Sequence, residues 1–206
     1  MRNIGIVDVG IGNIGSLKGA VYELGFDSVL VQKPPQLQEC DNIILPGVGS
    51  FHHGIQMMIE ANIFEPIQKV VSAGTPLLGI CLGMQLLFDH GDEGGNSHGL
   101  GLIQGSIQRF QNDPLFHLPH VGWNEVHKTQ NHPVWSGIKQ GVDFYFVHSY
   151  KANCASDCVL GTTDYGEVFP ALVTAGSVVG MQFHPEKSQK NGLKMLENFC
   201  RWDGSC

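Results

Sequence analysis

Three times in its first ninety residues the chain passes from a short, unbroken apolar run through a glycine-marked turn into a stretch with apolar positions three or four residues apart. Asn3 to Val9 (NIGIVDV) reads as a strand, and Leu17, Ala20, Val21 and Leu24 mark the helix that follows it. Asn42 to Leu45 (NIIL) precedes a helix through Ile55, Met58 and Ile59; Leu77 to Cys81 precedes an amphipathic segment that begins near Leu82. Ser28 to Val31 is a further short strand, and Phe64 to Val71 a further helix. Strands that are apolar throughout belong to a parallel sheet covered on both faces, so the pattern predicts an α/β architecture.

After Phe88 the pattern changes. His90 to Gly101 is polar and glycine-rich and reads as a loop. Shorter aromatic and β-branched segments follow at Ile107 to Phe110, Val121 to Val126, Asp143 to Ser149, Val159 to Thr163 and Ala171 to Val173. They predict antiparallel strands added to the same core. Val178 to Phe183 is a last buried strand, and a closing amphipathic helix carries Leu193, Leu196 and Phe199 on one face, with Asn191-Gly192 at its start. The expected fold is a single α/β domain over residues 1–206, with a mixed, mostly parallel central sheet flanked by helices and antiparallel strands in the C-terminal half.

Composition narrows the function. A net charge of -7 with only 12 Lys and Arg argues against a nucleic-acid surface, which needs basic residues for phosphates. No apolar run approaches the ~20 residues that cross a bilayer. Six cysteines (Cys40, Cys81, Cys154, Cys158, Cys200, Cys206) stand at irregular spacings without a signal peptide, so free thiols in a cytoplasmic protein are expected. Cys154 and Cys158 lack a second pair at zinc-ligand spacing, and no metal is expected.

Most cysteines in apolar segments are buried and inert. Cys81 differs because Gly79 and Gly83 flank it between a strand and a helix, as glycines flank the nucleophile of a G-x-S-x-G elbow. Such glycines let the backbone bend tightly, and helical N–H groups aimed at the sulfur would favour thiolate over a thiol of pKa about 8.5. A cysteine nucleophile needs a base and a group that orients the base. His184 and Glu186 offer both: they follow a buried strand, and Pro185 keeps the chain extended so that i and i+2 share a face.

Two other turns lie at the same predicted sheet edge. Gly10-Ile11-Gly12-Asn13-Ile14-Gly15 matches the G-x-G-x-x-G of dinucleotide sites, but the strand after it runs into Gln32, Lys33, Pro34 and Pro35 instead of the acidic residue that holds a ribose. It reads better as a tight loop between strand and helix. Pro46-Gly47-Val48-Gly49 is a second glycine-rich turn, whose backbone N–H groups could receive an oxyanion.

Gly79-Ile80-Cys81-Leu82-Gly83 with a later His184-Pro185-Glu186 resembles the pattern of class I (triad) glutamine amidotransferases, and the resemblance covers the whole chain. The strings Pro46 to Gly49, Leu78 to Leu87, Pro119 to Asn124, Phe144 to Tyr150 and Gln182 to Ser188 resemble one branch, whose members pass ammonia to a (βα)₈-barrel cyclase subunit in histidine biosynthesis. The resemblance implies a flavodoxin-like fold and cofactor-free hydrolysis of L-glutamine to glutamate and ammonia. Cys81 would be the nucleophile, His184 the proton carrier and Glu186 its orienting partner, with the amides of Val48 and Leu82 as oxyanion donors. It further implies that Gly49, Gln85, Glu93, His148, Ser149 and Tyr150 bind glutamine. The docking face would include Asn13, Pro119, His120, Trp123, Asn124 and Lys187, with Trp123 on an exposed turn. Val9 and Val121 depart from the usual residues, and Gln189 to Lys194 resembles paralogues that feed ammonia to a sugar amidotransferase of surface-polysaccharide synthesis. A catalytically silent nucleotide-binding module is the alternative from another class.

Overall fold

The computed structural model describes residues 2–205 apart from 112, 113 and 115; Cys206 lies outside the described residues. The N-terminal half runs β1 (Asn3–Val7), α1 (Ile14–Glu23), β2 (Asp27–Val31), β3 (Asn42–Gly47), α2 (Phe51–Glu60), α3 (Phe64–Ser72), β4 (Leu77–Cys81) and the single turn α4 (Leu82–Gln85). It continues with β5 (Phe88–Gly91), β6 (Ser97–His98), β7 (Ile103–Arg109), β8 (His120–Lys128), β9 (Val142–His148), β10 (Tyr150–Asn153), β11 (Val159–Asp164), β12 (Val168–Ala175), β13 (Val178–Met181) and α5 (Gln189–Arg201).

The main sheet has the order β2-β1-β3-β4-β13-β12-β11-β8-β9. Its first five strands are parallel and the remaining pairings antiparallel. Every residue of β3 and β4 is buried, as apolar runs at the middle of a two-sided sheet require. Helices α1 and α5 cover one face, where Leu17, Val21, Leu196 and Phe199 pack with Ile6 and Ile80. Helices α2 and α3 cover the other, where Ile55, Met58 and Ile67 pack with Leu45 and Leu77. The carboxyl ends of β3, β4 and β13 therefore meet at one edge, with Gly47 in register with Cys81 and Met181 with Ile80.

Three expectations are corrected. His90 to Gly101 is not wholly a loop: β5 and β6 lie across it and join β7 and β10 in a second sheet of order β10-β7-β5-β6. Strands this short carry too little alternation to be read from sequence. The segment after Cys81 is not an amphipathic helix, since Leu82, Met84, Gln85, Leu86 and Leu87 are all buried and the helix ends after one turn. Asn191-Gly192 lies inside α5, where a Cβ on Gly192 would stand 2.1 Å from the Pro185 carbonyl oxygen. Among the described residues, no helix is long and apolar enough to cross a membrane.

Candidate active site

Cys81 closes β4 with φ +54° and ψ −111°, a region that side-chain-bearing residues rarely occupy. Such strain persists only where the surroundings enforce it. They do so through the two flanking glycines, though not by letting those glycines bend. A Cβ on Gly83 would stand 1.8 Å from the Leu45 carbonyl oxygen, and one on Gly79 would stand 2.5 Å from the Gly83 carbonyl oxygen. The glycines bring α4 against β3 and β4, and the strain falls on the cysteine between them. Because α4 is one turn long, it carries no extended helix macrodipole to aim at the sulfur. Leu82 opens that turn, where an amide has no acceptor within the helix. Burial and neighbouring carboxylates push the Cys40 thiol up to about 11, and burial pushes Cys200 up to about 12, so both are poor nucleophiles.

His184 and Glu186 follow β13 as expected. His184 Nδ1 meets Glu186 Oε1 at 2.9 Å with both side chains 4% exposed. The carboxylate accepts there, so Nδ1 carries the proton and Nε2 faces Cys81. Burial lowers the affinity of His184 for a second proton, but its interactions with Cys81 and Glu186 outweigh that and raise its pKa to about 9. Nε2 forms no hydrogen bond in this state, because Cys81 Sγ lies against the Val147 carbonyl at 3.8 Å.

Ser188 fixes the histidine from behind. Its hydroxyl donates to the His184 carbonyl at 2.6 Å and accepts from the Tyr145 amide at 2.9 Å, while the His184 amide donates to the Tyr145 carbonyl at 2.9 Å. This bracing of the loop on β9 was not legible in the sequence, where Ser188 was only the end of a matching string.

A cavity of about 260 Å³ opens over the cysteine. Of the residues expected to bind glutamine, all six line it: Gly49, Gln85, Glu93, His148, Ser149 and Tyr150, together with Val48, Leu82, Pro119 and Val147. Glu93 accepts from the Phe51 amide at 3.2 Å, and partial burial raises its pKa. Gln85 Nε2 donates to the Tyr150 carbonyl at 3.3 Å and to Gln182 Oε1 at 3.2 Å, bracing the wall. Val48 lines the cavity with its amide turned away: it donates to the Ile11 carbonyl at 2.5 Å. In this conformation Val48 is not an oxyanion donor, and its peptide must rotate to become one.

The expected docking residues divide. Val121 and Trp123 are 55% and 45% exposed, and Pro119 and Lys187 are exposed. Trp123 lies within β8, not on a turn, edge-on to its cross-strand partner Tyr145. Lys187 stands over that same Tyr145 ring at 5.8 Å. Asn13 caps α1 by accepting from the Ser16 amide. His120 is 1% exposed with its side chain turned inward, which removes it from the outer face; the alternating sides of a strand bury it while exposing Val121 and Trp123. The Gly10 to Gly15 loop packs on the Pro46 turn, where a Cβ on Gly12 would stand 3.0 Å from Pro46 Cγ.

The family described as glutamine amidotransferase class-I matches residues 5–202. Among curated relatives, imidazole glycerol phosphate synthase subunit HisH of Methanocaldococcus jannaschii is 45% identical over 196 residues, which are 95% of this chain and 97% of that protein. The subunit of the same name from Bacillus cytotoxicus is 41% identical over 196 residues, 95% of this chain and 93% of that protein. Among solved structures, PurLQS from Thermotoga maritima superposes with a TM-score of 0.73 at 20% identity, over 97% of this chain and 98% of that one, a likeness of fold.

Proposed function

This chain belongs to the class-I glutamine amidotransferase family, and from that premise we propose that it is the glutaminase subunit of an imidazole glycerol phosphate synthase. It hydrolyses L-glutamine to glutamate and ammonia for histidine biosynthesis. The observation that carries this reading is the strained Cys81 at the floor of a glutamine-sized cavity, beside a buried His184 held by Glu186.

The reading assigns each group a step. Glutamine lies with its side-chain amide over Cys81 and its α-ammonium toward the Glu93 carboxylate. Gly49, Gln85, His148, Ser149 and Tyr150 enclose the rest. Sγ attacks the amide carbon as a thiolate beside the His184 imidazolium, which already holds the proton at Nε2 because its pKa is raised to about 9 and which Glu186 stabilises. The oxyanion is received by the Leu82 amide and, once its peptide has turned, by the Val48 amide. His184 returns the proton to the departing nitrogen, which leaves as ammonia. Water, with His184 as base, then cleaves the thioester to give glutamate.

Ammonia passes to a (βα)₈-barrel cyclase subunit in a cytoplasmic heterodimer. Val121, Trp123 and Lys187 form the centre of the docking face, with Asn13, Pro119 and Asn124 around them. An exposed aromatic beside a cation suits an interface anchor. The test is Cys81→Ala in the reconstituted complex: glutamine-dependent formation of imidazole glycerol phosphate should vanish while ammonium salts still support it. Continued glutamate release from that variant would refute the assignment.

A further inference from the structure

His120, which the sequence placed on the docking face, is committed to the interior. Its ring stacks on Tyr165 at 4.0 Å and 19°, and on Phe146 at 5.0 Å and 20°. Strand register sets it opposite His148, and the two join a chain of four polar links. His148 Nδ1 meets the Tyr150 carbonyl at 2.7 Å, His148 Nε2 meets His120 Nδ1 at 3.0 Å, His120 Nε2 meets Asn124 Oδ1 at 2.9 Å, and Asn124 Nδ2 donates to the Asp164 carbonyl at 3.2 Å.

Both ends of the chain are backbone carbonyls, which only accept, so the three side chains between them must supply every proton. The Tyr150 carbonyl places the proton of His148 on Nδ1. Burial above all, then the charges of His120 and His184, hold His148 down at about 3 against the pull of that carbonyl, so it is neutral and Nε2 is a bare lone pair. His120 must therefore donate from Nδ1. With His120 neutral as well, three protons serve four links. The link that opens is the outermost, because Asn124 is partly exposed and can turn its amino group to His120 while water replaces the Asp164 contact. The three inner links hold in either charge state.

We infer that His120 is a positioning residue for glutamine hydrolysis, which donates to His148 and so fixes the His148 to Tyr150 wall of the cavity. This rests on the reading of that cavity as the glutamine site. The Tyr150 carbonyl is clamped by His148 on one side and by Gln85 on the other. Without the His120 donor, His148 keeps a buried lone pair unmatched and its ring loses its anchor.

The test has a spectroscopic and a kinetic arm. In the chain labelled with ¹⁵N-histidine and free of glutamine, ¹H–¹⁵N correlation spectra should give His148 as the Nδ1–H tautomer, the minor form of imidazole in water. His148 protonated at Nε2 instead would overturn the inference. In the complex, His120→Phe should raise KM for glutamine about five- to tenfold with kcat within about twofold, the loss of one buried hydrogen bond. His120→Gln, which keeps a donor toward His148, should restore most of that loss. An unchanged KM in His120→Phe would overturn the inference, as would a His120→Gln KM raised tenfold with the His148 tautomer intact. Should His120→Phe not fold, the spectra and His120→Gln decide. Should the parent complex release no glutamate, the glutaminase reading falls and the spectra alone decide the chain.

Discussion

The amide of Val48 donates to the carbonyl of Ile11 at 2.5 Å, which ties the turn after β3 to the glycine loop after β1. The loop that matches a nucleotide fingerprint is thus a clasp on the predicted oxyanion turn, and under the proposed mechanism the clasp withholds one of the two amides assigned to the tetrahedral intermediate. Losing one such donor costs about 10²- to 10³-fold in rate. The isolated chain is expected to release glutamate slower than the complex by about that factor. Equal turnover with and without the cyclase subunit, followed by a coupled glutamate assay, would exclude this clasp as the control.

The strain at Cys81 sets a second expectation. At φ +54° glycine is at ease and alanine is not. Cys81→Gly and Cys81→Ala should both be inactive, with the glycine variant more stable than the alanine variant by about 1 kcal/mol. Urea midpoints compared at equal m-values measure the difference; an alanine variant as stable as the glycine variant would mean that the elbow is unstrained.

Two glycines should respond to alanine with opposite signs. Gly83 stands with its Cβ direction 1.8 Å from the Leu45 carbonyl oxygen, whereas a Cβ on Gly19, in the exposed face of α1, meets nothing within 4 Å. Gly83→Ala should therefore destabilise by about 3 kcal/mol or more, because backbone must move. Gly19→Ala should stabilise by about 0.5 to 1 kcal/mol through helix propensity. Thermal unfolding of the two variants checks both signs.

His184 makes stability depend on pH. Its pKa is raised from 6.5 to about 9 in the folded chain, so its contribution is whole below about 6.5 and is lost as pH rises through about 9. Unfolding free energy should fall by up to a few kcal/mol across that interval. In His184→Gln the same decline should be absent, and a parallel decline in both proteins would assign it to other groups.

The sequence by itself determined the chemistry and the edge at which it happens. Unbroken apolar runs at Asn42 to Leu45 and Leu77 to Ile80 could only be central parallel strands, and turns at the ends of such strands collect on one side. Cys81, His184 and Glu186 were legible because each sits at a turn with its own local signature, and Gly49, Gln85, His148, Ser149 and Tyr150, which line the cavity over Cys81, were legible through matching strings. Tertiary structure alone decided the rest. The α4 turn is buried on every side because β3 and α2 close over it, which no periodicity announces. His120 points inward because β8 pairs with β9 in a register that sets it against His148, and a register one residue away would have exposed it. The Val48 amide faces Ile11, not the cavity, because the choice between two peptide orientations depends on an acceptor 37 residues earlier in the chain, and a local sequence does not encode which distant carbonyl will stand beside it.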